Sequence, residues 1–346
     1  IAALKSDIVW YVEKEVNGEK VLVPQIYLSQ ATLETIKAPT TTIRAEETLK
    51  ISSDSLVNQG RLEGKAVYVD SKDIINKSAG ELRAEILGEK VLIESEKDVL
   101  NIGGTIKGTE GLQISAGGDV LNITTATETK IEDRIRGRER IYEGDSIQSI
   151  ATIEGGEFLS IEAENYTSRG AITGSEGKTV IEARNDVTLD TINLREYGKE
   201  DNEKGGYDLY EINQKVGSEL TGKDYVVIDA GKDINIKGSV VASDGLVQLT
   251  AENNINIEND KSTMYTEHKE EKNGFMSSYS LKETNYQEYA EGSTILGNNV
   301  VLEAKNDINI KASNIAALKN EEGTGGHISA EAGNNINITA DTLENR

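Results

Sequence analysis

The stretch DAGKDINIKGS (Asp229–Ser239) recurs along the chain with small changes, and this recurrence decides the fold. Close copies read TAENNINIEND (Thr250–Asp260), EAKNDINIKAS (Glu303–Ser313) and EAGNNINITAD (Glu331–Asp341). Each copy has a small residue, two variable positions, an Asp or Asn, an Ile or Val, any residue, and a second aliphatic residue. We call the Asp or Asn the anchor. Recurrence of one short text indicates a structural unit that stacks on copies of itself.

The anchors are about 20 residues apart wherever the repeat is uninterrupted. They are Asp73, Asp98, Asp119, Asp186, Asp233, Asn254, Asp307 and Asn335, with Tyr166 at the anchor position of a degenerate copy. This spacing is too short for a pair of helices with their turns, but it accommodates two or three short strands. In DINIK, Ile inside and Asn outside match the period-2 alternation of a half-buried strand.

The repeat therefore predicts an all-β chain that folds as a right-handed parallel β-helix (solenoid) with coils of about 20 residues. Aliphatic side chains of successive coils stack into one continuous core. With an earlier coil at RAEETLKIS (Arg44–Ser52), we count about ten coils, which at roughly 4.8 Å per coil gives a length of about 45–50 Å. Only two Pro residues are present, and Pro interrupts strand ladders.

Three polar insertions interrupt the coils, each directly after the anchor strand. They lie near residues 125–145, 194–217 and 258–292. The preceding anchors, Asp119, Asp186 and Asn254, are 67 and 68 residues apart, so the larger unit is two coils plus one insertion. Asn273-Gly274 in the third insertion predicts a two-residue β-hairpin. We expect β-hairpin excursions on alternate coils, about 9.5 Å apart, stacked face to face as a side fin because packed sheets lie about 10 Å apart.

Two domains are predicted: an N-terminal hairpin, cap or junction segment over 1–40, and the β-helix repeat domain over 41–346. An Asn-Gly pair at residues 17–18 marks the N-terminal hairpin. Trp10 and Tyr11 are candidates to cover the open end of the solenoid, whose edge must be hidden from other edges. The alternative is contact with a preceding domain, because the chain begins at Ile1 and reads as part of a longer protein.

Composition excludes several classes of function. The chain has 60 Asp plus Glu against 37 Lys plus Arg, a net charge of −23, which argues against a nucleic-acid partner. No Cys and two His residues leave no set for thiolate catalysis, for a Cys-ligated metal or for a Ser-His-Asp triad. A polysaccharide-cleaving site has no reason to recur at 67-residue intervals. We therefore predict no catalytic residues, no cofactor, no metal site and no enzymatic activity.

Four arginines in the first insertion are candidate surface-contact residues. They are Arg134, Arg136, Arg138 and Arg140. On one strand their period-2 spacing would place all four on one face. Such a cationic stripe suits phosphate-rich surfaces such as lipopolysaccharide. The alternative is neutralisation by acidic residues of another hairpin, such as Glu267, Glu270 and Glu271.

Four tyrosines in the third insertion are the other candidate surface-contact residues. They are Tyr265, Tyr279, Tyr286 and Tyr289. Tyrosine rings are amphipathic and suit a membrane interface. The alternative is that they pack the hairpin against the coils.

The coil text, the third insertion with its following coil (Asn259–Ala317) and the opening SDIVWYVEKEVNGEKVLVPQIYLS (Ser6–Ser29) resemble one family. It comprises the filamentous haemagglutinins and the CdiA-type effectors of contact-dependent growth inhibition, and the likeness is to their second haemagglutinin-repeat region. The resemblance covers essentially the whole chain. It implies a β-helix exported through an outer-membrane transporter of the two-partner secretion type, and a location outside or on the surface of a Gram-negative bacterium.

The resemblance also implies two alternative functions. The first is engagement of a target cell's outer membrane or surface receptor, which helps a toxin to cross. The second is the shaft or binding region of a filamentous haemagglutinin-type adhesin. The family has no catalytic residues in these repeats to carry over.

Overall fold

The computed structural model describes residues 8–16, 19–27, 41–80, 82–135, 137–273 and 277–346. The chain divides into two units, Ile1–Thr41 and Thr42–Arg346. In the first unit, β1 (Ile8–Val16) pairs antiparallel with β2 (Glu19–Tyr27). The Asn-Gly pair at residues 17–18 and the side chains of Trp10 and Tyr11 lie outside the described residues, so the capping role stays a prediction.

The described part of the second unit consists of strands without a helix. The strands before the first insertion are β3 (Thr42–Arg44), β4 (Thr48–Asn58), β5 (Arg61–Glu63), β6 (Ala66–Lys77), β7 (Glu85–Ser95), β8 (Val99–Ile102), β9 (Thr105–Ala116) and β10 (Val120–Ile123). Those up to the second insertion are β11 (Thr125–Ile135), β12 (Arg138–Ser149), β13 (Thr152–Gly155), β14 (Phe158–Ala163), β15 (Tyr166–Arg169), β16 (Ile172–Ser175), β17 (Lys178–Ala183) and β18 (Val187–Asp190).

The remaining strands follow the same order. Those of the second insertion and the coils after it are β19 (Ile192–Asp201), β20 (Tyr207–Val216), β21 (Glu219–Gly222), β22 (Tyr225–Ala230), β23 (Ile234–Lys237), β24 (Val240–Ala242), β25 (Leu246–Ala251) and β26 (Ile255–Glu258). The last are β27 (Asp260–Asn273), β28 (Ser278–Glu291), β29 (Thr294–Gly297), β30 (Asn299–Ala304), β31 (Ile308–Lys311), β32 (Asn314–Ala317), β33 (His327–Ala332) and β34 (Ile336–Thr339).

Twenty-six strands pair in parallel and wind through ten coils, each of which supplies a strand to sheets A, B and C. Sheet A contains β3, β5, the first parts of β7 and β9, and β13, β16, β21, β24, β29 and β32. Sheet B contains the first parts of β4 and β6, the second parts of β7 and β9, and β14, β17, β22, β25, β30 and β33. Sheet C contains the second parts of β4 and β6, and β8, β10, β15, β18, β23, β26, β31 and β34. The predicted parallel β-helix is confirmed.

The anchors act through a side-chain oxygen. Asp98 Oδ1 accepts a 2.9 Å hydrogen bond from the backbone N–H of Asp119, the anchor 21 residues later. The same bond links other successive anchors: Asn165 to Asp186, Asp186 to Asp233, Asp233 to Asn254, Asn254 to Asp307 and Asp307 to Asn335. Asp and Asn both supply this acceptor, which explains why they exchange freely at the anchor.

Tyr166 is not an anchor, and that prediction is wrong. It pairs with Val120 and Val187 in sheet C and is fully buried. The anchor of its coil is Asn165, whose Nδ2 donates a 2.7 Å bond to Asp119 Oδ1. The degenerate copy carries a polar and an aromatic residue side by side, and only the pairing register tells which of them points inward.

The interior changes character along the β-helix. In the first four coils it holds a buried ladder of asparagines, each Nδ2 donating a 2.8 Å bond to the next Oδ1: Asn58, Asn76, Asn101 and Asn122. In the sixth, seventh and eighth coils the same position is a buried aliphatic residue, Leu189, Ile236 and Ile257. The alternation of Ile inside and Asn outside thus holds around DINIK but is reversed in the two VLNI strands, β8 and β10.

The three insertions are β-hairpins on alternate coils, as predicted. They leave sheet C after β10, β18 and β26 and return to sheet A at β13, β21 and β29. Their six strands form one antiparallel sheet in the order β11-β12-β19-β20-β27-β28, which we name the fin. The third hairpin pairs from Asp260 opposite Glu291 to Asn273 opposite Ser278, so residues 274–277 connect its strands instead of a two-residue Asn273-Gly274 turn. Residues 274–276 of this connection lie outside the described residues.

The predicted face-to-face stacking of the hairpins is wrong. Neighbouring hairpins are hydrogen-bonded edge to edge, β12 to β19 and β20 to β27. Two coils of the β-helix rise about 9.6 Å, and two hydrogen-bonded strands of a hairpin occupy the same width. Each hairpin therefore continues the ladder begun by the previous one.

Candidate interaction surface on the fin

The root of the fin is held by an acidic side chain. Asp260, at the start of β27, accepts a 2.6 Å hydrogen bond from Thr191 Oγ1 and lies 3.2 Å from Lys237 Nζ. Asp341 repeats this arrangement two coils later, with Asn259 Nδ2 at 3.0 Å and Lys311 Nζ at 3.3 Å. The Asn259 amide and the Lys311 ammonium hold the pKa of Asp341 at about 2. The start of the third hairpin is thereby tied to Lys237 and Lys311, which end strands of sheet C.

Each fin residue lies on one of two faces, because directly opposite residues share a face and successive residues alternate. We name as a rung a row of opposite residues, one from each strand. The groove face carries the rung Ile131, Tyr142, Gly198, Tyr210, Thr266 and Asn285, and the rung Asp133, Arg140, Glu200, Asp208, His268 and Glu283. The ionic face carries the residues between these, including Glu143, Tyr197, Glu211, Tyr265 and Tyr286.

A chain of ion pairs crosses four strands on the ionic face. Glu143 lies 3.0 Å from Lys130 Nζ and 3.2 Å from Arg195 Nη1, and Arg195 Nε lies 2.8 Å from Glu211. Hydrogen bonds from Lys130 and Arg195 lower the pKa of Glu143. Alternating charges bound in this way hold neighbouring hairpins in register.

Glu267 continues this polar network on the third hairpin. Its carboxylate accepts hydrogen bonds from Tyr207 Oη at 2.6 Å and Tyr265 Oη at 2.5 Å, and Lys282 Nζ lies 3.1 Å away. The two hydroxyls and the ammonium hold the pKa of Glu267 at about 2. The side chains of the ionic face are thus largely bonded to one another.

The groove face bears a shallow groove of about 910 Å³, lined by both rungs named above. Tyr142 and Tyr210 form part of its floor. A Cβ added to Gly144 would lie 2.4 Å from Tyr142 Oη, and one added to Gly198 would lie 2.3 Å from Tyr210 Cε1. The two rings therefore lie flat over glycines, which are buried beneath them.

His268 bridges two carboxylates on the groove face. Its Nδ1 lies 2.5 Å from Asp208 Oδ1 and its Nε2 lies 2.9 Å from Glu270 Oε1. Both partners only accept when ionised, so both ring nitrogens must carry a proton. The hydrogen bonds to Asp208 and Glu270 accordingly raise the pKa of His268.

The predicted arginine face does not form. The chain turns between β11 and β12, so Arg134 lies opposite Glu139 while Arg138 and Arg140 lie on the other face. Arg136 lies outside the described residues. Arg138 Nη2 lies 2.7 Å from Glu203 and Arg140 Nε lies 3.6 Å from Glu200, so the second hairpin supplies the acidic partners.

The four predicted tyrosines are divided between the faces. Tyr265 and Tyr286 lie directly opposite each other on the ionic face, and Tyr279 and Tyr289 lie on the groove face. Each hydroxyl is bonded within the fin: Tyr265 to Glu267, Tyr279 to Glu270, Tyr286 to Glu288 and Tyr289 to Gln287. Tyr279 and Tyr289 are 46% and 48% exposed, whereas Tyr265 and Tyr286 are half-buried.

Sequence reasoning missed Tyr142, Tyr210 and His268 as groove residues. The available signal was a pair of isolated glycines, Gly144 and Gly198, within β-prone text, since a glycine inside a strand indicates a close approach by another group. Nothing local in the sequence pairs Gly198 with Tyr210.

The described residues hold neither a metal-binding cluster nor a membrane-spanning helix. They contain no group of three His, Cys, Asp or Glu residues placed to hold a metal ion. Within the same ranges, no helix is long and apolar enough to cross a membrane.

Comparison with known proteins agrees with this architecture. A family model described as Hemagglutinin repeat matches residues 206–282 and 274–346. A tRNA nuclease CdiA from Escherichia coli (strain STEC_O31) is 25% identical over 268 residues, which cover 74% of this chain and 8% of that protein. Residues 206–346 therefore match haemagglutinin repeats, and the chain is similar to proteins of the CdiA and filamentous haemagglutinin type.

Two further relatives cover smaller parts of this chain. A tRNA nuclease CdiA from Escherichia coli O6:K15:H31 (strain 536 / UPEC) is 27% identical over 193 residues, 55% of this chain and 6% of that protein. The protein adenylyltransferase and cysteine protease IbpA from Histophilus somni (strain 2336) is 30% identical over 112 residues, 30% of this chain and 4% of that protein. The chain thus spans 8% or less of the length of these three relatives. No solved structure gives a significant match.

Proposed function

We propose that this chain is a non-catalytic, extracellular repeat segment of a CdiA-type toxin-delivery protein and that the groove face of its fin engages the outer membrane of a target cell. Export through an outer-membrane transporter of the two-partner secretion type, a location outside or on the surface of a Gram-negative cell and assistance to toxin translocation belong to the same proposal. The relatives named as nucleases support the toxin-delivery part.

The uneven distribution of exposed apolar side chains carries the proposal. Among the described residues of the fin, seven large apolar or aromatic side chains are exposed, and six of them lie on the groove face: Ile131, Ile135, Tyr142, Tyr279, Leu281 and Tyr289. Of these seven, Ile147 alone lies on the ionic face. An exposed apolar patch rimmed by polar groups is typical of a surface that contacts a membrane or a partner.

The groove face also carries charged side chains, and these indicate how deeply it can enter a membrane. Arg140, Asp208 and Glu283 alternate with the apolar residues, so neither face of the fin is an apolar band of the kind that lipid-facing strands require. We therefore propose contact at the interfacial layer, where tyrosine rings are accommodated, rather than insertion into the hydrocarbon core.

Co-flotation of the purified chain with outer-membrane vesicles tests this proposal, with protease protection as a second measure. The informative variant is Tyr279→Ser with Tyr289→Ser on the groove face. Its matched control is Tyr265→Ser with Tyr286→Ser, on the ionic face of the same hairpin. Circular dichroism checks that both double variants keep the fold.

We expect the unchanged chain to float with the vesicles. The groove-face double variant should bind about tenfold more weakly, since burial of an aromatic side chain is worth more than about 1.4 kcal/mol. The ionic-face variant should float like the unchanged chain. Absence of flotation, or equal loss in both double variants, would overturn the proposal.

The adhesin function is the second candidate. The rings of Tyr142 and Tyr210, which lie flat in the groove, favour it, since they suit a small ligand such as a glycan better than a membrane surface. A chain that ignores vesicles but binds soluble glycans would support the adhesin shaft over toxin delivery.

A further inference from the structure

We propose that the groove across the fin binds a neutral oligosaccharide, with the rings of Tyr142 and Tyr210 as stacking platforms. This inference rests on the proposed function for the groove face being the contact surface, and it names what that surface recognises.

The groove is long, shallow and perpendicular to the strands. Its two rungs extend across all six strands, from Asp133 on β11 to Glu283 on β28, which corresponds to about 24 Å at roughly 4.8 Å per strand. Its width is about two rungs, or roughly 7 Å. A linear chain of several sugar units fits this form. A bound peptide strand would instead pair with a free sheet edge, and the groove presents side chains and no free backbone edge.

The platforms are held open for a ligand. Gly144 and Gly198 allow the rings of Tyr142 and Tyr210 to lie against the backbone with their upper faces turned away from the sheet. Tyr210 is fixed in this position by a 2.9 Å hydrogen bond from its hydroxyl to Glu196. The C–H face of a pyranose ring is apolar and stacks on a flat aromatic ring in the same way as other apolar groups do.

The second rung supplies the polar contacts that such a ligand needs. Arg140 and His268 are donors engaged by Glu200 and Asp208, respectively. In the described part of the chain, no basic side chain lies within ion-pair distance of Asp133 or Glu283, both of which are exposed. These carboxylates are therefore available to accept hydrogen bonds from sugar hydroxyls, at the two ends of the rung.

The charge balance selects a neutral sugar. The rung holds four carboxylates against the two cations Arg140 and His268, so it repels acidic polysaccharides. Phosphate groups are excluded from the groove itself for the same reason, whereas uncharged hexoses or N-acetylhexosamines are not.

Binding of soluble tetrasaccharides by the purified chain tests the inference without any membrane. The panel contains tetramers of glucose, galactose, mannose and N-acetylglucosamine, with tetragalacturonate as the acidic comparison, and a basic peptide of strand length as the competing class. Saturation-transfer NMR detects binding and titration calorimetry measures the affinity. The variants are Tyr142→Ser and Tyr142→Phe, with Tyr197→Ser on the ionic face as the matched control.

We expect at least one neutral tetramer to bind and tetragalacturonate not to bind. Tyr142→Ser should weaken binding by about fivefold or more, because a stacking contact of about 1 kcal/mol is lost. Tyr142→Phe should retain binding, and Tyr197→Ser should leave it unchanged. Absence of neutral-sugar binding, preference for the acidic tetramer or the peptide, or equal effects of Tyr142→Ser and Tyr197→Ser would overturn the inference.

The two proposals fail separately. Flotation on vesicles without binding of any tetramer would remove the saccharide groove and leave membrane engagement in place. Tetramer binding without flotation would overturn membrane engagement and leave the saccharide groove in place.

Discussion

Tyr166 Oη lies 2.6 Å from Thr173 Oγ1 in the interior of the β-helix, and Asn122 Nδ2 donates a 2.9 Å bond to the same threonine oxygen. This contact lies where the asparagine ladder of the first four coils ends and the aliphatic interior begins. Burial raises the pKa of Tyr166 to about 12, so its hydroxyl remains a neutral donor. The asparagine ladder thus ends with Asn122 bonded to the Thr173 hydroxyl, which is itself bonded to Tyr166.

Tyr166→Phe should lower the free energy of unfolding by about 1 kcal/mol, because the buried Thr173 hydroxyl loses a partner while the ring is retained. Urea unfolding followed by circular dichroism measures the loss. Tyr225→Phe is the control, since Tyr225 is only partly buried and lies at the start of its sheet B strand. Equal stability of the two variants would show that the Tyr166–Thr173 bond contributes nothing.

Asn101→Leu should be strongly destabilising despite the similar size of the two side chains. Asn101 accepts from Asn76 and donates to Asn122, and its loss leaves buried polar groups on both sides. Each of the two unsatisfied groups costs about 1–3 kcal/mol, so we expect a total loss of about 2–6 kcal/mol. Thermal and urea unfolding give the value.

The control for this prediction is Asn256→Leu. Asn256 belongs to an equivalent ladder on the outer surface, where it donates to Asn235 and accepts from Asn309. Water can replace these bonds, so the loss should stay below about 1 kcal/mol. A loss at Asn256 as large as that at Asn101 would contradict the role of burial.

Deletion of the third hairpin should leave the β-helix folded. Removal of residues 259–291 would join Glu258 to Gly292-Ser293, the same Gly-Ser corner that connects β23 to β24 at Gly238-Ser239. Gly238 has φ +52, which a glycine adopts without strain. The deletion variant should therefore retain its strand content by circular dichroism and unfold cooperatively. A collapsed or aggregated product would show that the fin is required for the coils.

The fin should be most stable near pH 5 to 6.5. Glu267 and Glu270 have pKa values of about 2, below their ordinary value of 4.5, so their contribution is present above that value and is lost as the pH falls towards 2. His268 has a raised pKa, so its contribution is complete below 6.5 and is lost as the pH rises through the higher value of the folded state. Near-UV circular dichroism of the fin tyrosines between pH 2 and 9 follows both losses.

The variant Glu267→Gln tests how much Glu267 contributes to the loss of fin stability at acidic pH. The amide cannot be protonated, so the variant should show a smaller decrease between pH 5 and 2 than the unchanged chain and the same decrease above pH 6.5. An unaltered acidic decrease would mean that other carboxylates determine it.

Much of the fold follows from the sequence because the same short text recurs, so that each copy can be compared with the others. The 21-residue spacing, the exchange of Asp for Asn at the anchor and the return of the insertions at fixed intervals all predict coils and hairpins without a template. These features are local, or recur in the same form, so that one copy explains the others. Tyr166 was misplaced because its copy alone departs from the pattern.

The arrangement of the fin was less predictable because it depends on pairing between distant strands. The spacing of Arg134 and Arg138 cannot show that a turn lies between them and reverses the face. Likewise, Tyr210 covers Gly198 only because β19 and β20 pair in one particular register. The expected distance of about 9.5 Å between hairpins fits two paired strands as well as two packed sheets, and sequence spacing does not distinguish these.

The equal rise of two coils and one hairpin has a consequence for how such proteins lengthen. Duplication of a whole unit of 67 or 68 residues extends the rod and the fin by the same step of about 9.6 Å, so no mismatch accumulates however many units are added. Duplication of a single coil would instead leave a gap one strand wide between neighbouring hairpins. Genes for arrays of this kind should therefore gain and lose coils in pairs.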